Sequence, residues 1–346
     1  MTPDVTSTPE TRTVNRRILL ARRPEGAVTE EDLRYVEEPI PELEPGKILL
    51  KNRYISLDPA TRGWMDDKAS YMEPIPIDGV MRGSVVSEVI ASTDEAWLPG
   101  DFAAGIFGWE DYTLAAPNEL RRRCGAFPGL DPVHELSLLG GTGLTAWIGL
   151  HRVAQIKPGE TVVVSAASGS VGSLAGQLAK RHGCRVVGIT GGAHKAEMLR
   201  EVLGFDDVVD YQAGPIYPAL KAACPKGIDV YFDNVGGEAL DAALGLIRVH
   251  ARVVLCGAIS QINERTLPPG PKNYIRLLAR RARMEGFITL DYASEWDTIS
   301  GELAELVMSG QLQVLQEVVD GLAALPSAFA RLFRGEKVGK LVVMVS

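Results

Sequence analysis

Residues 161–195 constrain this chain more than any other stretch. A short β-branched run at 161–164 suits a strand buried on both faces. Small residues at 165–172 then make a turn, and apolar residues at Val171, Leu174, Ala175 and Leu178 follow with helical spacing. A second apolar run at 185–190 supplies the next parallel strand. The unit is strand, helix, strand, and its turn has the form Ala167-x-Gly169-x-x-Gly172. Without a β-carbon at Gly169 the backbone can approach a pyrophosphate. Gly172 lets the helix pack tightly on the strand, and the amides of Ser170 and Val171 at the helix start face the anion. Ala167 stands where such fingerprints begin with glycine, a small residue in a tight turn.

The end of the second strand bears on the choice of dinucleotide. An NAD site places Asp or Glu there to hold the ribose hydroxyls. This chain has Gly191, Gly192 and Ala193, followed by His194 and Lys195. No carboxylate repels a 2′-phosphate, and a lysine is available to pair with it, so NADP(H) is favoured. The plainer alternative is that Lys195 is a solvated lysine in a first helical turn.

Outward from this unit, residues 16–116 alternate short strands with turns, giving a compact all-β module. Strands are expected at 18–21, 47–56, 85–91 and 111–115. Between Arg62 and Met81 lie Trp64, Met65, Tyr71, Met72 and several prolines, without a clear period. These side chains either line a pocket or anchor the loop to the core. A helix is expected over 136–154, then further strands at 207–211, 228–232, 252–256 and 284–289. Helices at 294–308 and near 325–333, an apolar stretch at 312–319 and a strand at 340–345 complete the chain. Alternation of this kind gives an α/β fold with a doubly wound parallel sheet.

The remaining sequence mainly excludes. At 346 residues there is room for two cores, and a formal charge of −8 argues against a broad nucleic-acid surface. The basic run at 276–283 is interleaved with leucine and alanine, as on the outer face of an amphipathic helix. Cys124, Cys184, Cys224 and Cys256 form no C-x-x-C pair, which suits free thiols in a reducing cytoplasm. Residues 1–15 lack the apolar core of a signal peptide and are expected to be a disordered leader. No apolar stretch is long and unbroken enough to span a membrane.

With these residues in view, the chain resembles the zinc-independent group of the medium-chain dehydrogenase/reductase superfamily. That group holds prostaglandin reductases, alkenal double-bond reductases and curcumin reductases. The carriers are Leu57-Asp58-Pro59, Met81-Arg82-Gly83, Gly108-Trp109 and Gly143-Leu144-Thr145-Ala146-Trp147, together with residues 166–173. Phe232-Asp233-Asn234-Val235-Gly236-Gly237, Cys256-Gly257-Ala258-Ile259-Ser260 and Gly339-Lys340 extend the match. The resemblance implies a GroES-like β domain (16–137 with 310–346) and a Rossmann domain (138–309). It also implies NADPH in the cleft between them, a homodimer, and a cytoplasmic enzyme.

Carried over by residue, Gly169, Ser170, Val171 and Gly172 would meet the pyrophosphate, and Lys195 and Tyr211 the adenosine phosphate end. Asn234, Cys256, Ala258, Ile259, Ser260, Ile262, Phe287, Ile288 and Thr289 would line the ribose and nicotinamide end. Blander roles exist: Phe287 and Cys256 are core residues by type, and Asn234 could cap the helix after Gly237. Zinc is not expected, since the chain lacks the cysteine cluster and the early Cys and Gly-His-Glu ligands of the related alcohol dehydrogenases.

The implied reaction is NADPH-dependent reduction of the C=C bond of α,β-unsaturated ketones or aldehydes, with Tyr71 (or, second, Tyr54) donating to the carbonyl oxygen. A quinone reductase and a non-catalytic NADPH-binding protein are the alternatives. Two residues depart from the group's pattern. Ile262 stands where a tyrosine is usual, and Lys337 where an asparagine is.

Overall fold

In the computed structural model, which describes residues 14–68, 70–266 and 268–345 (Arg122 without its side chain), the fold is built on two large sheets. The strands are β1 (Val14–Leu20), β2 (Leu33–Pro39), β3 (Ile48–Leu57), β4 (Arg82–Ser92), β5 (Phe102–Gly108), β6 (Tyr112–Ala115) and β7 (Leu120–Arg123). Then come β8 (Thr161–Ser165), β9 (Arg185–Thr190), β10 (Asp207–Asp210), β11 (Ile228–Asp233), β12 (Ile247–Leu255) and β13 (Arg283–Gly286). The last two are β14 (Gln316–Asp320) and β15 (Lys340–Met344).

Every residue of β8 and β11 is buried, as central strands covered on both faces require. They lie side by side in a parallel sheet of order β10-β9-β8-β11-β12-β13. The order reverses between β8 and β11, the switch point at which such sheets open a crevice beyond their carboxyl ends. The second sheet runs β14-β15-β3-β4-β5-β7, with β6 also on β3. β15 joins β3 antiparallel, Leu341 opposite Leu57, so the end of the chain completes a sheet begun near its start. Between the sheets, Leu312 packs in the core beneath the parallel sheet, four residues before β14 begins.

The strand expectations at 47–56, 85–91, 185–190 and 340–345 match β3, β4, β9 and β15 closely. β2, β5 and β7 were not expected. β2 buries only Leu33, β5 alternates small residues (Ala103, Gly105) toward the core, and β7 is mostly arginine. β2 and β7 lack the apolar run that marks a strand, and β5, though apolar, is rich in alanine and glycine instead of β-branched residues.

The helix expected over 136–154 is broken. His134–Ser137 and Gly141–Ile148 are separate, and Gly149–Ala154 continues as a π-turn. A β-carbon on Gly143 would stand 1.9 Å from the Leu138 carbonyl, so the glycines carry a tight bend. The strand expected over 284–289 stops at Gly286, because β13 is an edge strand exposed along its length. The run at 276–283 is not an amphipathic helix either. Only Arg276–Arg280 is helical, it buries nothing, and Leu278 is 75% exposed. Residues 1–13 of the expected leader lie outside the described residues, while Val14 and Asn15 already belong to β1.

The crevice at the switch point as candidate active site

The turn after β8 is built by close approach. Ala166 takes the left-handed conformation (φ 47°), and the helix Ser170–Arg181 follows with Gly169 at its N-cap. A β-carbon on Gly172 would stand 2.3 Å from the Ala166 carbonyl oxygen, so only glycine lets helix and strand meet here. Ala167 is tolerated because its neighbour on β9 gives way. The missing β-carbon of Gly188 would lie 2.9 Å from that of Ala167. Ser168 Oγ and Thr190 Oγ1 share a hydrogen bond of 2.7 Å, which fastens the turn to β9.

At the end of β9 the absence of an acidic residue has a steric cause as well as an electrostatic one. The Tyr211 ring lies over Gly191, and a β-carbon there would be 2.5 Å from it. Lys195 stands in the first turn of the helix Ala193–Glu201 and donates to the Gly335 carbonyl at 2.5 Å. Burial lowers its pKa, with Glu336 opposing. Lys195 is therefore not a freely solvated lysine. It, Tyr211 and Gly335 form one corner, since the Tyr211 hydroxyl is 3.6 Å from where a Gly335 β-carbon would be.

Across the switch point, Asp233 ends β11 fully buried. Its Oδ1 accepts from Ser165 Oγ, the Tyr231 hydroxyl and the amides of Val235 and Gly236, at 3.0–3.1 Å. Oδ2 has no partner, and burial raises the carboxyl pKa against those four donors. Asn234 donates through Nδ2 to the Ser165 carbonyl at 2.7 Å, so its side chain ties β11 to β8 instead of capping a helix. The loop after β12 hangs from the same place. Cys256 and Gly257 donate to the Asp233 carbonyl, Ile259 to Asn234 and Ser260 to Val235. Asn234, Cys256, Ala258, Ile259 and Ser260 are thus brought together, and Ile262 follows in the same turn. Burial, with Asp233 nearby, pushes the Cys256 thiol up to about 12, so it stays protonated. Phe287 packs against Phe232 and Gly149, while Ile288 is exposed and the Thr289 carbonyl accepts from Trp296.

The β-rich half approaches through two segments. Gly339 donates its amide to the Ser168 carbonyl at 2.8 Å and pairs with Gly169, laying residues 335–340 along the glycine turn. Beside it the buried Lys340 is ion-paired with Asp58, a contact across 282 positions of sequence that sequence reasoning missed. Its traces were the separate motifs Leu57-Asp58-Pro59 and Gly339-Lys340, which nothing in the sequence joined. Burial pushes the Asp58 carboxyl up, but Lys340, Ser56 and Lys337 more than offset it and hold it below the ordinary range.

The second segment is residues 62–81, which divides its roles. Trp64, Met65, Ile75 and Met81 are core anchors, whereas Tyr71 is 54% exposed. Partial burial raises the phenol's pKa, Trp64 opposes, and the Asp58 charge adds to the rise, so Tyr71 is a protonated donor close to Asp58. The buried Trp64 Nε1 has no partner of ordinary hydrogen-bond geometry. Tyr54 instead packs beside Val86 and Val133 and feels Asp131, away from this corner. Among the described residues no group of three or more His, Cys, Asp or Glu is placed to hold a metal ion.

A glycine cradle at a switch point, facing a β-rich unit across a crevice, defines a two-unit dinucleotide-binding oxidoreductase. Comparison with known proteins is specific. Residues 16–122 match the family described as "N-terminal domain of oxidoreductase", and residues 170–305 the family described as "Zinc-binding dehydrogenase". The chain is 41% identical to the NADPH-dependent curcumin reductase of Escherichia coli K12, over 96% of this chain and 97% of that one. It is 38% identical to the NADP-dependent 2-alkenal reductase of Nicotiana tabacum, over 86% and 87%. Among solved structures, CurA of Vibrio vulnificus in complex with NADPH superposes with a TM-score of 0.90 at 38% identity, covering 96% of this chain and 99% of that one. The chain belongs to the medium-chain dehydrogenase/reductase superfamily, in its zinc-independent group.

Proposed function

We propose that this oxidoreductase uses NADPH to reduce the C=C bond of α,β-unsaturated ketones or aldehydes. The observation that carries the cofactor half is the corner made by Lys195, Tyr211 and Gly191. It offers a cation, and the end of β9 carries no acidic side chain to take the ribose hydroxyls or repel a 2′-phosphate. The glycine turn leaves room for a diphosphate, because Gly169 adds no β-carbon at the helix start and Gly172 lets the helix pack close on the strand. The Ser170 and Val171 amides point out of a helix N-terminus toward it. Asn234 has committed Nδ2 to Ser165, leaving Oδ1 as the group available to a ligand. Cys256, Ala258, Ile259, Ser260, Ile262, Phe287, Ile288 and Thr289 then line the nicotinamide end.

When bound, NADPH supplies a hydride to the substrate's β-carbon. That chemistry would leave negative charge on the carbonyl oxygen and call for a proton at the α-carbon. The protein's part is to orient, to exclude water and to hold the developing oxyanion. Tyr71 is the donor for that oxygen, a phenol whose pKa burial raises while the neighbouring Trp64 indole opposes. Where the group's usual tyrosine stands, Ile262 offers no hydrogen bond, which places the demand on Tyr71. No metal takes part in this reading.

The reading includes a substrate unit (16–137 with 310–346), a cofactor unit (138–309), a cytoplasmic setting and a homodimer. The exposed edge strand β13, with Tyr274, Ile275 and Leu278 exposed on the segment before it, is the surface a second copy would cover. Among the described residues no helix is long and apolar enough to cross a membrane.

The test is product analysis with an enone and NADPH deuterated at the transferable position. The expected product is the saturated ketone carrying deuterium on the β-carbon. Deuterium on the carbinol carbon means carbonyl reduction and overturns the assignment. Turnover confined to quinones, or NADPH binding without turnover of any acceptor, identifies the two alternatives.

A further inference from the structure

We propose that Lys337 is a second phosphate-binding cation of this site, holding the cofactor's diphosphate while Lys195 takes the 2′-phosphate. The inference rests on the dinucleotide reading above and assigns a residue to the part of the ligand that NADPH and NADH share.

Placement comes first. Gly339 pairs with Gly169 and donates to the Ser168 carbonyl, so the chain two residues earlier runs beside the glycine turn. Gly339 sits at φ 68°, and a β-carbon there would be 2.1 Å from the Leu315 carbonyl oxygen, which pins the strap in this position. From the strap, the Lys337 ammonium donates to the Gly339 carbonyl at 2.7 Å, while the Lys195 ammonium reaches the Gly335 carbonyl from the other side.

Both lysines thus rest on backbone carbonyls of one strap. The nearby carboxylates are already engaged: Asp58 by Lys340 and Ser56, Glu317 by Arg331, and Glu336 by Arg334. Three ammonium groups converge on the strap with one of them neutralised, an arrangement that a polyanion completes. A lysine that merely capped a carbonyl would be indifferent to ligand and would do better in water, given the entropy and desolvation it loses here.

Charge gives the same direction. Burial, then the Lys340 and Lys195 charges, lower Lys337 to about 8, with Asp58 and Glu317 opposing. In the free protein the ammonium is therefore about half deprotonated near pH 8, whereas a bound phosphate would raise its pKa. Binding is then strongest below pH 8, weakens as pH rises through that value, and takes up a proton on the alkaline side.

The experiment measures dissociation constants of NADPH and NADH by calorimetry, with no substrate present, for wild type, Lys337→Gln, Lys337→Arg and Lys195→Ala. Lys337→Gln is expected to weaken both dinucleotides alike, by about 10-fold at pH 7. Lys337→Arg should keep the affinity and remove its decline above pH 8. Lys195→Ala should weaken NADPH alone. Unchanged binding of both dinucleotides by Lys337→Gln, or a loss confined to NADPH, overturns the assignment. Should the Gln variant fail to fold, the pH profiles of wild type and Lys337→Arg still decide it, because coincident profiles overturn the proposal. Failure of the wild type to bind either dinucleotide overturns the cofactor reading, and the role of Lys337 with it, and is a distinct result.

Discussion

The glycine turn after β8 and the segment 62–81 face the same crevice from opposite halves of the molecule, and they are held by different means. In the turn, backbone contacts and absent side chains set the shape. Gly169 donates to the Ala166 carbonyl and Ala167 to Ile189, and Ser168 is closed on Thr190. The segment 62–81 is strung between arginines and carbonyls. Arg23 holds Met65 and Ile75, Arg62 holds Gly26, and Arg82 holds Glu73. In it and at its two ends, buried donors lack partners of ordinary geometry at Thr61, Arg62 Nε, Trp64 Nε1 and Arg82 Nε. An unmet buried donor costs about 1–3 kcal/mol. The turn is therefore shaped chiefly by its backbone. The segment depends on side chains instead, and the spare donors it carries are buried.

If that contrast is right, adding one side chain should be costly on one side and harmless on the other. Gly172→Val drives carbon into the Ala166 carbonyl, which cannot move away, so a loss of about 3 kcal/mol or more is expected, and dinucleotide binding with it. Gly63→Ala, with nothing within 4 Å of its β-carbon, should change stability by less than about 0.5 kcal/mol. Denaturant unfolding of the two variants measures both, and equal losses would erase the distinction.

The next effect separates the phosphates within the turn's own half. Lys195→Ala should weaken NADPH by about 1.5–3 kcal/mol, the range of a charge-assisted hydrogen bond, and leave NADH nearly unchanged. Equal weakening of the two, followed by fluorescence titration, would mean that Lys195 does not read the 2′-phosphate.

The smallest effect tests the spare-donor side. Tyr71→Phe should lower kcat and kcat/KM together by about 10-fold, near 1.4 kcal/mol, with NADPH affinity unchanged, because only a transition-state bond is lost. Ile262→Tyr in that background should recover part of the rate. Normal turnover by Tyr71→Phe would route the proton through solvent or ribose and reduce Tyr71 to an exposed loop residue.

Much of the cofactor side was legible because its signals are local. β8, the glycine turn, the helix and β9 lie within 30 consecutive residues, and each constraint acts between near neighbours. The strands that escaped notice, β2 and β7, carry too few apolar side chains to show a period. The break after Ser137 escaped because glycine allows a helix as well as ending one, and only the crowding at Leu138 decides. In the segment 62–81 the sequence left pocket and anchor open, and burial divides them, with Met65 and Ile75 inside and Tyr71 out.

By itself, then, the sequence determined the parallel-sheet unit, the place of its glycine turn and the absence of an acid at the end of β9. All of these depend on residue type and short-range spacing. Tertiary structure decided which distant groups close the site: the Lys340–Asp58 pair, the strap 335–340 against Gly169, and the loop 256–260 hung from Asp233. Those contacts join residues up to 282 positions apart. Their partners are chosen by how two sheets meet in space, which no local pattern encodes.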